Sequence, residues 1–355
     1  MDVDNERLVA ELLETLAGLP NVQLSEKPSP AGPEAAPSID LTIASDAVHL
    51  LIECKRTIFP RDVQQILWAR HAAKAKETVA DKSTISLLAA DSISPGARKL
   101  LEEAQVGYFA GGGSLCLPAP NAFFYVDRPA SKSEKKSTRD FYSGRRAQVI
   151  HHLLNHPSEW FGVNQLATLA KVSAATVSAV LTTLDRHEWL ETRGQGPNKE
   201  RKLSAPGELL DAWSKQLSEI AAPSVRRYYV PGYKGEQLVE WVAKAFVENC
   251  AEYAITHEAA AQRYAPFLTG ISQVRCLLQP GWTADLSLQR LGARAVTEGA
   301  NLIVIESKSD GDFLETRDID SVTLASPVRV YLDLLRGEGR ARELAEHLRK
   351  ERIGF

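Results

Sequence analysis

The sequence predicts a multidomain α/β protein in three parts, from its length, its linkers and its local patterns. At 355 residues the chain exceeds what one ordinary hydrophobic core organises. Two stretches read as linkers: Ser131–Thr138 (SKSEKKST), and the Pro- and Gly-containing run near Ala221–Gly235 (AAPSVRRYYVPGYKG). Each of the three stretches between and around them carries its own mixture of helical and strand patterning. The expected domains are therefore residues 1–130, 139–220 and 231–355.

Composition narrows the class further. The chain is 44% hydrophobic and 25% charged, a globular balance. Its formal net charge of -3 hides an asymmetry: residues 1–130 hold 12 basic and 17 acidic side chains, whereas 131–205 hold 12 basic and 7 acidic. A basic segment between two acidic ones is a modest electrostatic footprint for phosphate. Cys54, Cys116, Cys250 and Cys276 are too scattered for a zinc knuckle and too few for a disulfide framework. The acidic start MDVDNERL lacks the features of a signal peptide, and no apolar run approaches the ~18 residues of a membrane span. A cytoplasmic protein with no membrane partner is expected.

In the first part, Leu8, Val9, Leu12, Leu13, Leu16 and Leu19 define an amphipathic helix flanked by Glu11. After a Pro/Ala-rich loop, Pro28–Pro37, come two strands, Ser38–Ala44 and Ala47–Lys55, joined at Ser45-Asp46. A helix over Arg61–Lys76, a strand over Thr84–Ala90, a helix from Ser94-Pro95 to Ala104 and a strand around Tyr108 complete an α-β-β-α-β-α-β order. Asp40 lies on one strand of the hairpin and Glu53-Cys54-Lys55 on the next. Glu-x-Lys recurs at Glu134, Glu200 and Glu306, but only the first has an acid on an adjacent hairpin strand.

This arrangement resembles the PD-(D/E)xK nucleases over roughly the first 120 residues, a restriction-endonuclease-like fold. Phosphodiester cleavage uses a hard divalent cation that carboxylates on adjacent strands can share. The resemblance implies that Asp40 and Glu53 bind Mg²⁺ with the backbone carbonyl of Cys54. It also makes Lys55 catalytic, on the same strand face as Glu53, and Glu11 a supporting acid. The proline that often precedes the first acid is absent; Ser38-Ile39 stands before Asp40. A degenerate domain that keeps the shape without cutting remains the alternative.

In the central part, Val149, Ile150, Leu153 and Leu154 share one face of a helix over Arg145–Asn155, which ends at His156-Pro157. Trp160-Phe161-Gly162 suits a short strand, and a second helix starts at Asn164. Ser173 caps a third helix, Ala174–Arg186, that buries Val177, Val180, Leu181 and Leu184. Trp189–Thr192, a polar tip from Arg193 to Arg201, and Lys202–Ser204 form a hairpin. Three helices and such a hairpin make a winged helix-turn-helix, expected to bind double-stranded DNA; a protein-interaction module is the alternative. The third helix has a slim outer face of Ser173, Thr176, Ser178, Thr182 and Thr183 that a major groove admits. Arg193, Lys199, Arg201 and Lys202 on the wing, with Arg145 and Arg146 on the first helix, can meet phosphates.

In the last part, Leu238–Ala251 reads as a helix, Val274–Leu278 and Asn301–Ile305 as strands, and Ser326-Pro327 as the capped start of a final helical pair broken at Gly337 and Gly339. The winged helix, ELLDAWSKQ (Glu208–Gln216), YAITHEAAAQRYAP (Tyr253–Pro266) and SPVRVYLDLL…GRARELAEHLR together resemble the AbiEi family over about Arg145–Phe355. These are antitoxins of type IV toxin-antitoxin systems. The resemblance implies a regulator that represses its own promoter and a nucleotidyltransferase-like toxin as partner. The nuclease-like first part departs from that family. Two functions are therefore expected: an antitoxin-type transcriptional regulator with a silent accessory domain, or a Mg²⁺-dependent DNA endonuclease targeted by the winged helix. Winged helices also read paired half-sites, which leaves a homodimer open.

Overall fold

The computed structural model describes residues 3–24, 38–74, 84–128, 140–217, 222–267, 270–337 and 339–355. The loop expected at Pro28–Pro37 and the linker at Ser131–Thr138 lie outside the described residues. The chain divides into two compact units, Met1–Ser137 with Thr183–Glu188, and Thr138–Thr182 with Trp189–Phe355.

The first unit runs α1 (Val3–Ala17), β1 (Val22–Leu24), β2 (Ser38–Ile43), β3 (Asp46–Ile58), α2 (Pro60–Lys74), β4 (Thr84–Ile93), α3 (Pro95–Glu103), β5 (Gly107–Ala110), β6 (Ser114–Ala119) and β7 (Ala122–Val126). All seven strands form one sheet in sequence order. The β3–β4 and β4–β5 pairs are parallel and the others antiparallel. Ala44 and Ser45 turn the β2–β3 hairpin with φ of 49° and 80°, the positive values that a tight two-residue hairpin demands. On one sheet face Leu8, Leu12 and Leu16 of α1 pack against Val48, Leu50 and Ile52 of β3 and Leu115 and Leu117 of β6. Each such leucine, fully buried, contributes about 2 kcal/mol. On the other face Val63 and Ile66 of α2 and Ala97 and Leu101 of α3 cover Leu88, Ala90 and Tyr108. Ser94 caps α3, its Oγ accepting from Ala97 N at 3.3 Å.

The second unit opens with α4 (Gly144–Asn155), β8 (Phe161–Gly162), α5 (Val163–Leu169), α6 (Ala174–Arg186, of which this unit holds the part up to Thr182), β9 (Leu190–Arg193), β10 (Glu200–Leu203) and α7 (Pro206–Gln216). Their strands pair antiparallel in the order β8-β10-β9. The buried stripe of α4 comprises Val149 to Leu154, that of α5 centres on Leu166, and that of α6 holds Val177, Val180, Leu181 and Leu184.

The run near Ala221–Gly235, expected as a linker, instead holds β11 (Val225–Tyr229). Its sequence, VRRYY, is exposed at its first three positions and lacks alternation, so cross-strand pairing rather than a buried face defines it. The elements after it are α8 (Gly235–Glu248), β12 (Tyr253–Thr256), α9 (His257–Tyr264), β13 (Val274–Leu278), α10 (Trp282–Arg290), β14 (Arg294–Ala295), β15 (Leu302–Glu306), β16 (Arg317–Ile319), β17 (Val322–Leu324), α11 (Pro327–Leu334) and α12 (Ala341–Leu348). The strands form a mixed sheet, β14-β11-β15-β13-β12-β17-β16. Val274, Cys276, Leu302, Val304 and Leu324 fill its interior. Ser326 caps α11, accepting from Arg329 N at 3.1 Å.

The three-helix module and this sheet belong to one compact unit. His151 Nε2 lies 2.5 Å from Ser326 Oγ, and Arg349 donates to Asp211 at 2.6 Å. Among the described residues no single helix is long and apolar enough to cross a membrane.

Candidate nucleic-acid interface

On the first unit, alternation along β3 decides where the expected site residues lie. Val48, Leu50 and Ile52 face α1, so His49, Leu51, Glu53 and Lys55 face the other way. Glu53 and Lys55 come together, Oε1 to Nζ 3.1 Å. Asp40 shares their face, but its register partner is His49, and its carboxylate meets His49 Nδ1 at 2.6 Å. Glu53 stands four residues further along β3, about 13 Å away at strand rise. Two carboxylates on one Mg²⁺ place their oxygens within about 4 Å of each other. Asp40 and Glu53 therefore do not fit a shared Mg²⁺ in this register. The expected role of Cys54's carbonyl loses its basis with them. Its thiol is half-buried, opposite Ala89, and pushed up first by burial and then by Asp91 and Glu53. Nor is Glu11 brought to Lys55. It sits on α1, against the opposite sheet face, 3.9 Å from Arg7 and 3.4 Å from the Gly112 amide. The hairpin sequence could not reveal this, because residue spacing does not fix which positions of β2 and β3 pair.

On the second unit, of the outer face expected on α6, Ser173, Ser178 and Thr182 are exposed, whereas Thr176 and Thr183 are half-buried. Ala174 and Ala175 are also exposed. Several hydroxyls already have local partners: Ser173 Oγ accepts from Thr176 N at 3.2 Å and meets Thr176 Oγ1 at 2.9 Å, and Thr182 Oγ1 donates to Ser178 O at 2.8 Å. Such bonds leave acceptor lone pairs for a ligand. Lys171, which the sequence pattern did not mark, is exposed in the turn before α6 with φ 52°. A lysine in the short turn between two helices was the available signal.

The β9–β10 hairpin is held by charge pairs across its strands. Arg193 donates to Glu200 at 2.7 Å, and Lys202 lies 2.9 Å from Glu191, both pairs directly opposite in register. The Trp160 ring sits beneath both cations, 4.4 Å from the Arg193 guanidinium and 5.1 Å from Lys202 Nζ. Arg193 and Lys202 thus serve the hairpin first. Arg201 is half-buried, and its Nε is without a hydrogen-bond partner among the described residues. Gly194 at the tip has φ 73°, and a Cβ there would collide with Asn198 O, so only glycine fits. Arg145 and Arg146 are exposed in the first turn of α4, where Ser143 makes no side-chain cap. Cations there oppose the helix dipole by roughly 0.3–1 kcal/mol each, while cations and free amides together attract phosphate.

Two buried polar groups of the second unit, Ser326 and His257, are placed structurally. Ser326 is fully buried and its hydroxyl caps α11, so its contact with His151 meets no substrate. His257, at the start of α9, is buried with φ 55°.

The architecture is thus a mixed α/β, multidomain protein whose second unit joins three helices and a hairpin to a seven-stranded sheet. Residues 202–353 match the family model described as "Transcriptional regulator, AbiEi antitoxin, Type IV TA system". The match begins inside β10, at Lys202, and covers α7 and the whole C-terminal sheet with its helices. No curated protein and no solved structure matches the chain.

Proposed function

We propose that the chain is a DNA-binding transcriptional regulator of the type IV antitoxin kind. In this reading residues 140–217 are a winged helix-turn-helix. The α6 face enters the major groove, and Lys171, Lys199, Arg201, Arg145 and Arg146 meet phosphates. Residues 202–353 are the antitoxin part, whose toxin partner is nucleotidyltransferase-like if this chain follows the family it resembles. The observation that carries the reading is the family match beginning inside the hairpin, within one compact unit with α4, α5 and α6 up to Thr182. The first unit serves as an accessory domain of nuclease-like outline. The separation of Asp40 from Glu53 along β3 favours this reading over a Mg²⁺-dependent endonuclease.

The test is a footprint of the full-length protein on DNA upstream of its own gene, with a growth assay of the neighbouring gene in its presence and absence. Protection of a discrete site and rescue of growth are expected. Protection of no site at low salt, with no rescue, refutes the proposal.

A further inference from the structure

We propose that His152, His156 and Glu315 form a zinc site that clamps α4 to the loop before β16. The site is independent of the regulatory reading above. Among the described residues, one ligand atom from each of these three side chains lies within 4.8 Å of the others. His152 Nδ1 is 2.5 Å from one Glu315 oxygen, and His156 Nε2 is 2.8 Å from the other.

Several features make this a built site. His152 lies in the last turn of α4 and His156 is the residue that caps it, and their ring centroids stand 4.7 Å apart. Glu315 reaches them with φ 62°, a backbone state uncommon for a residue with a Cβ. Glu159 holds His156 from behind, its Oε1 3.0 Å from Nδ1. A metal ligand's second ring nitrogen characteristically donates to such a carboxylate, which fixes the tautomer and turns the other nitrogen toward the ion. Two imidazoles and one carboxylate are a zinc donor set, with a fourth position left for water, whereas magnesium prefers oxygen donors throughout. The His152 side chain is 5% exposed and that of His156 30%, so the ion enters from the His156 side.

At bond lengths of about 2.0–2.1 Å, tetrahedral ligand atoms stand roughly 3.3 Å apart. The present N–O separations of 2.5 and 2.8 Å need only open by less than an ångström, within the reach of the glutamate's side-chain torsions. Zinc binding needs a bare nitrogen on each ring: the proton on His152 Nδ1 moves to Nε2, the one on His156 Nε2 is released to solvent while Nδ1 keeps its bond to Glu159, and two hydrogen bonds give way to three coordinate bonds. Its mechanical effect is to tie the first helix of the three-helix module to the C-terminal sheet, which lies in the same compact unit.

The experiment is titration of the full-length, metal-stripped protein with Zn²⁺, read by calorimetry and by metal content after gel filtration, and with Co²⁺, read by absorption. One zinc per chain and a rise in melting temperature are expected. His156→Ala and Glu315→Gln are expected to abolish stoichiometric binding, and Glu159→Gln to weaken it about 10-fold or more. Because His156 is partly exposed, His156→Ala leaves the core intact, and its circular dichroism and metal-free melting curve check this. Absence of saturable zinc binding overturns the proposal. So does binding that survives in His156→Ala, or a thiolate charge-transfer band in the cobalt spectrum, which would assign the metal to cysteines such as the exposed Cys250.

Discussion

Asp333 offers the sharpest test of how the second unit is held together. It sits on α11, nearly buried, and accepts three hydrogen bonds. Thr256 Oγ1 of β12 donates at 2.7 Å, and Arg329 Nε donates to both oxygens at 3.0 and 3.1 Å. Burial pushes its carboxyl up, but Arg329, His257 and these bonds more than offset that and hold it below the usual carboxylate range. Asp333→Ala removes the acceptor of a fully buried hydroxyl, which costs about 1–3 kcal/mol. It also leaves Arg329 with Asp312 as its remaining partner, at 3.3 Å. Losing one member of a buried ion pair costs about 3–5 kcal/mol when nothing compensates. With Asp312 retained, the combined loss comes to about 3 kcal/mol. For a unit of about 200 residues that lowers the melting temperature by roughly 6–12 °C. The assay is thermal unfolding followed by circular dichroism, alongside a urea titration. Asp333→Asn keeps an acceptor for Thr256 and is expected to lose less. A change in Asp333→Ala within about 0.5 kcal/mol of wild type, or equal losses in the two variants, would refute the reasoning.

Other predictions address charge, metal and pH. Lys199→Ala with Arg201→Ala is expected to flatten the dependence of log K on log salt by about 2, at ~0.9 for each phosphate no longer neutralised; an unchanged slope in a binding titration would remove the wing from the interface. Because Asp40 pairs with His49 and not near Glu53, the protein is expected to leave supercoiled, linear and single-stranded DNA intact in Mg²⁺ or Mn²⁺. Nicking that Lys55→Ala abolishes would contradict the register argument. Burial, with Arg275 and Arg329 nearby and Asp333 opposing, lowers the pKa of His257 from its ordinary value. A histidine depressed in the folded state binds fewer protons there than in the unfolded chain. Its contribution is therefore complete above the unfolded value near 6.5 and is lost as pH falls below it. Urea midpoints should decline below about pH 6.5 in the wild type and decline less in His257→Gln; parallel profiles would show that His257 does not govern the effect.

Much of the fold was legible because its strongest signals are local. The leucine spacing from Leu8 to Leu16 marked α1, the Ser94 and Ser326 caps followed by proline marked α3 and α11, and the alternation in SIDLTIA marked β2. Elements defined by their neighbours were not legible. β11 reads as a linker in sequence because Arg226, Arg227 and two tyrosines carry no alternation; pairing with β15 makes it a strand. β6 and β7 escaped detection, β7 being an edge strand with Phe123 and Tyr125 exposed. The candidate sites divide the same way. Sequence placed Glu53 beside Lys55, two positions apart on one strand, but the distance from Asp40 depends on a hairpin register that sequence spacing leaves free. The cations of the wing are plain in the sequence, yet their engagement is not: Glu200, Glu191 and Trp160 hold Arg193 and Lys202 only once the hairpin has formed. The His152–His156–Glu315 cluster joins residues about 160 positions apart and so left no trace in local sequence.

The central claim is that the three-helix module grips duplex DNA. The most direct measurement is fluorescence anisotropy of a labelled duplex from upstream of the gene, titrated with full-length protein in EDTA across a series of salt concentrations. A variant combining Arg145→Ala, Arg146→Ala, Lys199→Ala and Arg201→Ala is measured beside it. Saturable, salt-sensitive binding is expected of the wild type, and of the variant a weaker affinity with a salt slope reduced by about 3–4. Binding by both proteins with the same affinity and slope, or by neither at the lowest salt, would contradict that claim.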